Sequence, residues 1–585
     1  FLFDTRYPEY EFYGQDTWKI RRNLTLDYGL RWEVRLSPQT PEGSIKVPSQ
    51  AIVAGAPASN AVSWGQGSLF RNQLGNFGPS IGFAWDPFSD GKTSIRSNYR
   101  IAYDRINMFV IASTILPNLP GAAYPAINTA FGQAGGRLRN IPELLPPAQS
   151  PGSLSKPDPF TSASNTVIDP NMKTPRTHQW SFNIQREIAK NTLLDVAYIG
   201  RRAYHLLGAY NVNQAQIFSN GFLDAFKTIK AGGESPLINS VLSADTRLNP
   251  GETASAMIRR LFSSQLTLNS VGALASTLGT RLQTNAAGVT QNVTAQSAGQ
   301  PFFFIPYPQY SGGLNVLDSN DFSTYNALEV QLQRRLTSGL QFTLAYTLAK
   351  SLDTRSFDPT LTVVGTGNAS TAGSTPFDIN NRRLNYAPSD FDRRHALQWN
   401  WVFELPFGQG KRFLGSANGF VNRVIGGWEF SGFGRVTSGR PFTVWSGANT
   451  VSNVNQSTAN CSGCTRTGAN AFNDVGAGSG NTGFVWFFNA AQRAQFSAPA
   501  AGEFGNTGRN FFVGPGFYDL DASLLKRVPL TERFKLEFRG DATNLTNTVS
   551  FGAPTTDITS STFGRIRSTT TSGSRKIQVG AKLYF

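Results

Sequence analysis

Two cysteines, three histidines and three methionines are the whole stock of thiol, imidazole and thioether chemistry in 585 residues. Cys461 and Cys464 share one "CSGC" within a Gly/Ser/Asn/Thr-rich stretch, and His178, His205 and His395 lie far from it in sequence. A structural zinc site usually needs four ligands. The pair therefore reads as a local disulfide or two idle thiols, and no metal is expected. Histidine is the usual general base, and none of the three has an evident Ser/Asp constellation, so an enzyme is not expected and no cofactor is implied. Charged residues are also scarce, at 15%. No window approaches the roughly 18 consecutive apolar residues of a membrane helix, which excludes a helical membrane protein. A transmembrane barrel is not excluded, because its strands alternate lipid-facing and lumen-facing residues and average to an ordinary hydropathy. The formal charge of +16 is scattered through turns, strand ends and polar strand faces rather than gathered in one run, so nucleic acid is not an expected partner. The chain opens on "FLFDTRYPEY", with neither an initiator Met nor a basic-plus-apolar signal segment. The expectation is that processing or truncation removed the start.

What the sequence has in quantity is alternation. In the final stretch, "SRKIQVGAKLYF", Ile577, Val579, Ala581, Leu583 and Phe585 occupy every second place, and Lys576, Gln578, Gly580, Lys582 and Tyr584 fill the others. That is the period-two pattern of a strand with one apolar and one wet face. It recurs in pairs: residues 12–20 with 23–35, 77–85 with 94–104, 178–188 with 192–200, 322–335 with 340–350, 395–405 with 428–438, and 517–526 with 534–545. With 574–585 this predicts about thirteen strands. Each is near the roughly nine to eleven residues that cross a bilayer when tilted. The links alternate between short turns, with one of roughly twenty residues, and connections from about thirty to well over a hundred, far outside ordinary loop lengths. Sorting by side is expected of an outer-membrane barrel, with short periplasmic turns and long extracellular loops. One long connection carries helical spacing at 217–230, 254–262 and 270–282, which predicts a loop subdomain with its own small core. Residues 365–374 and 446–481, rich in Gly, Ser, Thr and Asn, read as mobile surface loops.

Trp18, Trp32, Trp85, Trp180 and Trp428 fall near strand ends, as an interfacial aromatic girdle requires. On the polar strand faces Asp27, Arg31, Glu33, Arg96, Arg100, Glu329, Arg335, Glu537, Arg539 and Asp541 are the candidate lumen-facing or plug-facing residues. Inward carboxylates could pair as acid and base, but arginines on the same faces favour a charge-paired lumen lining. His178 and His395 each begin a predicted strand and read as polar interface residues.

Several stretches resemble one family. "EFYGQDTWKIRRNLTLDYGLRWE" is similar to the hairpin of TonB-dependent outer-membrane receptors. "NFGPSIGFAWDPFSDGKTSIRSNYRIAYDR", "STYNALEVQLQRRLTSGLQFTLAYTLAKSLD", "SDFDRRHALQWNWVFELPFGQGKRF", "GGWEFSGFGRVTSGRPFTV" and "FGNTGRNFFVGPGFYDLDASLLKR" resemble its Oar-like branch. The resemblance implies a barrel of about 22 strands or more around an N-terminal plug, energised through a TonB box, in the outer membrane of a Gram-negative bacterium. It also implies that the apolar residues of the last strand, ending on Phe585, form the assembly signal. No plug, regulatory-like domain or TonB box is recognisable ahead of residue 12.

The expectation is therefore an all-β transmembrane antiparallel barrel, incomplete at the N-terminus. Residues 1–585 form its barrel domain, with 201–321 a large extracellular loop region containing short helices. An odd number of strands should precede residue 12, leaving an open seam between the first and last strands. The expected partners are outer-membrane lipid, an extracellular ligand, and the TonB complex through the missing region. The expected function is transport of a bulky ligand, with a passive porin, or an adhesin or structural protein, as the alternatives.

Overall fold

Thirteen strands run in one meander: β1 (Glu9–Arg21), β2 (Leu24–Arg35), β3 (Gln73–Trp85), β4 (Thr93–Tyr103), β5 (Arg176–Ala189), β6 (Thr192–Asn211), β7 (Leu314–Thr337), β8 (Leu340–Asp353), β9 (His395–Glu404), β10 (Trp428–Thr437), β11 (Phe517–Pro529), β12 (Lys535–Thr543) and β13 (Lys576–Tyr584). The structure, a computed structural model, describes residues 6–39, 46–48, 50, 52, 63–106, 165–279, 282–284, 290–292, 302–310, 313–356, 376–464, 485–531, 533–570 and 573–585. Each strand pairs antiparallel with the next in sequence. All the short links therefore lie at one end of the sheet and all the long ones at the other. Among the described residues β1 pairs only with β2 and β13 only with β12, so the sheet stays open between them, as the strand count led us to expect.

Turn chemistry closes the short end. Ser338 and Gly339, with φ of 53° and 79°, form a two-residue link of the type whose twist matches its strands. In "DPFSDGK" the Asp86 carboxylate accepts the backbone N–H groups of Ser89 at 3.0 Å and Gly91 at 2.9 Å. The ladder between β3 and β4 runs only from Ser80 to Trp85, stopping beside Pro79, which has no N–H to give.

Register keeps the two faces distinct. Across β7, β8 and β9, Leu332, Leu344 and Trp399 lie side by side, while Gln333, Thr343 and Asn400 share the other face. The apolar face is open, with Leu30, Ile81, Leu344 and Phe538 among its exposed side chains. Trp399 lies flat on Gly434 of β10, where a Cβ would meet its ring at 2.2 Å. Trp18, Trp85 and Trp428 sit at the turn end of their strands, and Trp32 and Trp180 toward the loop end. His178 and His395 each bond a tyrosine hydroxyl through Nδ1 at 2.8 Å, from Tyr99 and Tyr346. Among the described residues no group of His, Cys, Asp and Glu is placed to hold a metal.

Strand pairing reaches into the region expected as a large loop, 201–321: β6 continues to Asn211 and β7 begins at Leu314, and the two extensions pair, Asn315 with Asn211 and Asp318 with Gly208. The short strand Asn165–Ile168 adds to β7 in parallel. Ala209, Tyr210, Leu314, Val316 and Leu317 are all buried, so both faces of these extensions are covered and the alternation that marks a membrane strand disappears. Next, the helix expected from 217 begins at Phe222, because Gly221 takes φ 76° and leaves Phe218 outside, exposed. Finally, of the stretch read as mobile, 446–464 is packed: Ser446, Thr450, Ser452 and Ser457 are fully buried. Small polar side chains satisfy buried backbone here, Ser446 Oγ donating to Ser457 O at 2.8 Å and Asn449 Nδ2 to Ser452 O at 2.9 Å. Residues 365–374 and 465–481 lie outside the described residues. Cys461 and Cys464, with Cα atoms 5.6 Å apart, are joined as a disulfide.

Candidate functional site

The long end of the sheet carries a folded cap. Helices α1 (Phe222–Lys230), α2 (Pro236–Val241), α3 (Ala254–Leu261), α4 (Ser263–Thr267) and α5 (Val271–Gly279) lie in the connection between β6 and β7. Ser235 and Thr253 cap α2 and α3 by accepting the N–H of Ile238 and Ala256. Phe222, Phe226, Ile258, Leu274 and Leu278 meet in one core, as the helical spacing predicted. That core is not self-contained. Val451 and Ala501 of the β10–β11 connection complete it, and Gly272 approaches so closely that a Cβ would lie 2.5 Å from the Val451 carbonyl oxygen. On the outer surface of the cap, Glu234 is hydrogen-bonded by Arg259, Asn239 and Thr253, and Glu252 by Arg260 and the Asn249 N–H. These donors hold both carboxyls at about 2, well below the usual range.

Buried ion pairs anchor the cap to the strand ends. Arg509, 2% exposed, donates to Asp353 Oδ1 at 2.8 Å, Asn385 O at 3.0 Å, Ser356 Oγ at 2.6 Å and Asp390 Oδ1 at 2.9 Å. Arg382 reaches Asp318 and Arg355 reaches Asp321, each at 2.6 Å. Two separate connections, β8–β9 and β10–β11, are thus tied to the top of β7 and β8. Sequence reasoning missed all of these residues. Their signal was that Arg509, Asp390 and Asp353 fall in stretches carrying family resemblance, "GNTGRNFF", "SDFDRR" and "LAKSLD".

The polar face carries the residues chosen from sequence. Arg31 pairs with Glu11 and with Glu33 at 2.9 Å, Glu33 with Arg35 at 2.5 Å, and Glu9 with Arg105 at 2.8 Å, a chain of alternating sign across β1, β2 and the end of β4. Asp27 accepts from Thr17 Oγ1 at 2.8 Å. Arg100 forks onto Gln179 Oε1 at 3.0 and 2.9 Å, and Arg96 donates to Ser94. At the other edge Arg527 joins Glu429 at 3.0 Å and Glu537 at 3.2 Å, and Arg539 joins Asp541 at 2.7 Å. Arg31 and Glu33 are therefore brought together, and so are Arg539 and Asp541. Glu329 stands apart, opposite Thr347 and Ala197. Arg335 lines a cavity of about 210 Å³ near the turns with Lys92 and Glu187. Ile577, Val579, Ala581 and Leu583 share one exposed face of β13, and Phe585 lies just past its end.

An exposed apolar face on a long antiparallel meander, with every long link at one end, is the pattern of a membrane wall. Over residues 2–578 the sequence matches the outer membrane beta barrel domain family. The chain belongs to that family. The barrel sits in the outer membrane, its apolar face toward lipid. No curated protein matches it. Among solved structures it is similar to the outer membrane transporter YddB from Escherichia coli, with 9% identity, coverage of 99% of this chain and 54% of that one, and a TM-score of 0.38. The siderophore receptor PiuA from Acinetobacter baumannii gives 9%, 99%, 43% and 0.37, and the ferric-catecholate import receptor Fiu from E. coli K12 gives 9%, 99%, 45% and 0.34. The chain spans about half the length of these structures.

Proposed function

We propose that residues 1–585 form the barrel portion of a TonB-dependent transporter of the Oar-like branch, which carries a bulky ligand across the outer membrane. The observation that supports this best is the cap. A passive pore needs no more than short rims, whereas here three connections are joined by a shared apolar core and buried ion pairs, which suits ligand capture ahead of transport. In this reading the long end is extracellular, the polar face with Asp27, Arg31, Glu33, Arg96, Arg100, Glu329, Arg335, Glu537, Arg539 and Asp541 lines the lumen or meets a plug, and residues 577–585 serve as the assembly signal. The test uses the gene product as encoded, purified in detergent. It should bind the periplasmic domain of TonB in calorimetry and hold planar bilayers closed. Steady open conductance with no TonB binding would put the passive channel first, and neither activity would put the adhesin first.

A further inference from the structure

Ion pairs offset much of the charge at the two edges of the polar face, but one cluster of cations has none. Between the loop ends of β9, β10 and β11 lies a cavity of about 620 Å³ whose lining includes Arg393, Arg435 and Arg440 and, among the described residues, no acid. The nearby carboxylates are engaged elsewhere. Asp390 receives Arg509 and Asn510, Asp392 receives the Ser351 N–H at 2.7 Å, and Asp521 receives the Asn544 N–H at 2.8 Å. Asp519 lies directly across from Arg435 in register. No ion pair forms between them. The Arg435 guanidinium instead lies over the Phe517 ring, 4.4 Å from its centroid, with its Nε buried and unpartnered. Arg393 is fixed by bonds to Thr437 Oγ1 and, at 2.8 Å, to Ser438 O. Burial first, and then the repulsion of Arg440 and Arg435, lowers its pKa, so the three cations sit close enough to oppose one another.

Asp519 is near enough to act on Arg435 and offsets part of this charge, but three arginines leave the cavity net positive, and a cleft lined by one sign of charge concentrates counter-ions. Guanidinium forks match carboxylate and phosphate oxygens bidentately. The volume suits a small molecule, Gln398 and Thr437 add polar contacts, and Phe517 and Phe551 give it an apolar wall. We propose that this cavity binds a small oligoanion bearing two or more carboxylate or phosphate groups. Binding here does not depend on how the barrel is energised, so the proposal stands apart from the TonB assignment.

The test is calorimetry on the gene product in neutral detergent, with citrate as the tricarboxylate probe, pyrophosphate as the phosphate probe and sucrose as the neutral control. Saturable binding of citrate or pyrophosphate, weakening with added salt, is expected, and the stronger of the two identifies the oxyanion class. Arg435→Gln and Arg440→Gln should each weaken it by about tenfold or more. Arg435→Lys should restore part of the loss, and Lys411→Gln, at the turn end, should change nothing. The proposal is overturned if neither probe binds at millimolar concentration, or if the arginine variants bind as the parent does. It is also overturned if those variants lose heat resistance while the parent binds no probe, since the arginines would then be holding another segment of the protein.

Discussion

Arg509 is the largest fully buried side chain among the described residues, and replacing it with methionine keeps most of its volume while deleting its charge. The Asp353 carboxylate, whose side chain is 2% exposed, then loses its cation. Removing one partner of a buried pair typically costs about 3–5 kcal/mol, because the remaining charge is left without compensation. Asp390, more open to solvent, adds little. The loss falls on the docking of the cap and not on the meander, since Arg509 joins the β10–β11 connection to Asn385 and Ser356 and to the end of β8. At about 1.4 kcal/mol per decade, cap opening should become more frequent by roughly two to three and a half orders of magnitude. Trypsin cleavage after Arg493, in the regime where cutting tracks the open population, should accelerate by that factor. Migration of the unheated barrel in gels should be unchanged. Adding Asp353→Asn should recover much of the loss, because the stranded charge is gone. Acceleration of less than tenfold, or the same acceleration in single and double variants, would refute the reasoning.

Leu344→Arg should destabilise the barrel by about 2–4 kcal/mol in lipid-vesicle unfolding if the site is near the midplane, and Thr343→Arg on the opposite face by much less, while equal costs would count against the lipid-facing assignment. Gly434→Leu should cost about 1–3 kcal/mol by displacing the Trp399 indole, visible as a shift in tryptophan emission, whereas Gly540→Leu, where nothing lies within 4 Å of an added Cβ, should be near neutral. Because Glu234 and Glu252 are held at about 2 against an ordinary 4.5, their contribution to α3 is complete above pH 4.5 and is lost as pH falls toward 2. Amide exchange in Ala254–Leu261, corrected for its intrinsic pH dependence, should rise through that window. Glu234 is exposed and Glu252 lies close to the surface, so the rise should be small, and a Glu252→Gln, Glu234→Gln variant should not show it.

The membrane wall was legible because lipid on one side and polar surroundings on the other impose a two-residue period on every strand, and Leu24 to Val34 or Leu340 to Lys350 display it without interruption. The same logic explains where reading stopped. Once β6 and β7 rise beyond the bilayer they are covered on both faces, and Ala209, Tyr210, Leu314 and Val316 leave no polar alternate to mark a strand. In the 446–464 stretch, Ser, Thr and Asn have the composition of a surface loop, yet Ser446 and Asn449 spend their hydrogen bonds inside. Composition reports what a side chain can bond, not where its partner lies. The charged residues divide in the same way. Arg31 and Glu33 were found because both sit on one strand's polar face, so pairing followed from period alone. Arg509 and Asp353 are 156 residues apart and come together only through the long connections. Arg435 shows a further limit, since the residue that register places opposite it is Asp519, and its guanidinium lies over Phe517 instead. Period and register give the face a charge occupies, while its partner is set by side-chain rotamer and by loops that carry no period at all.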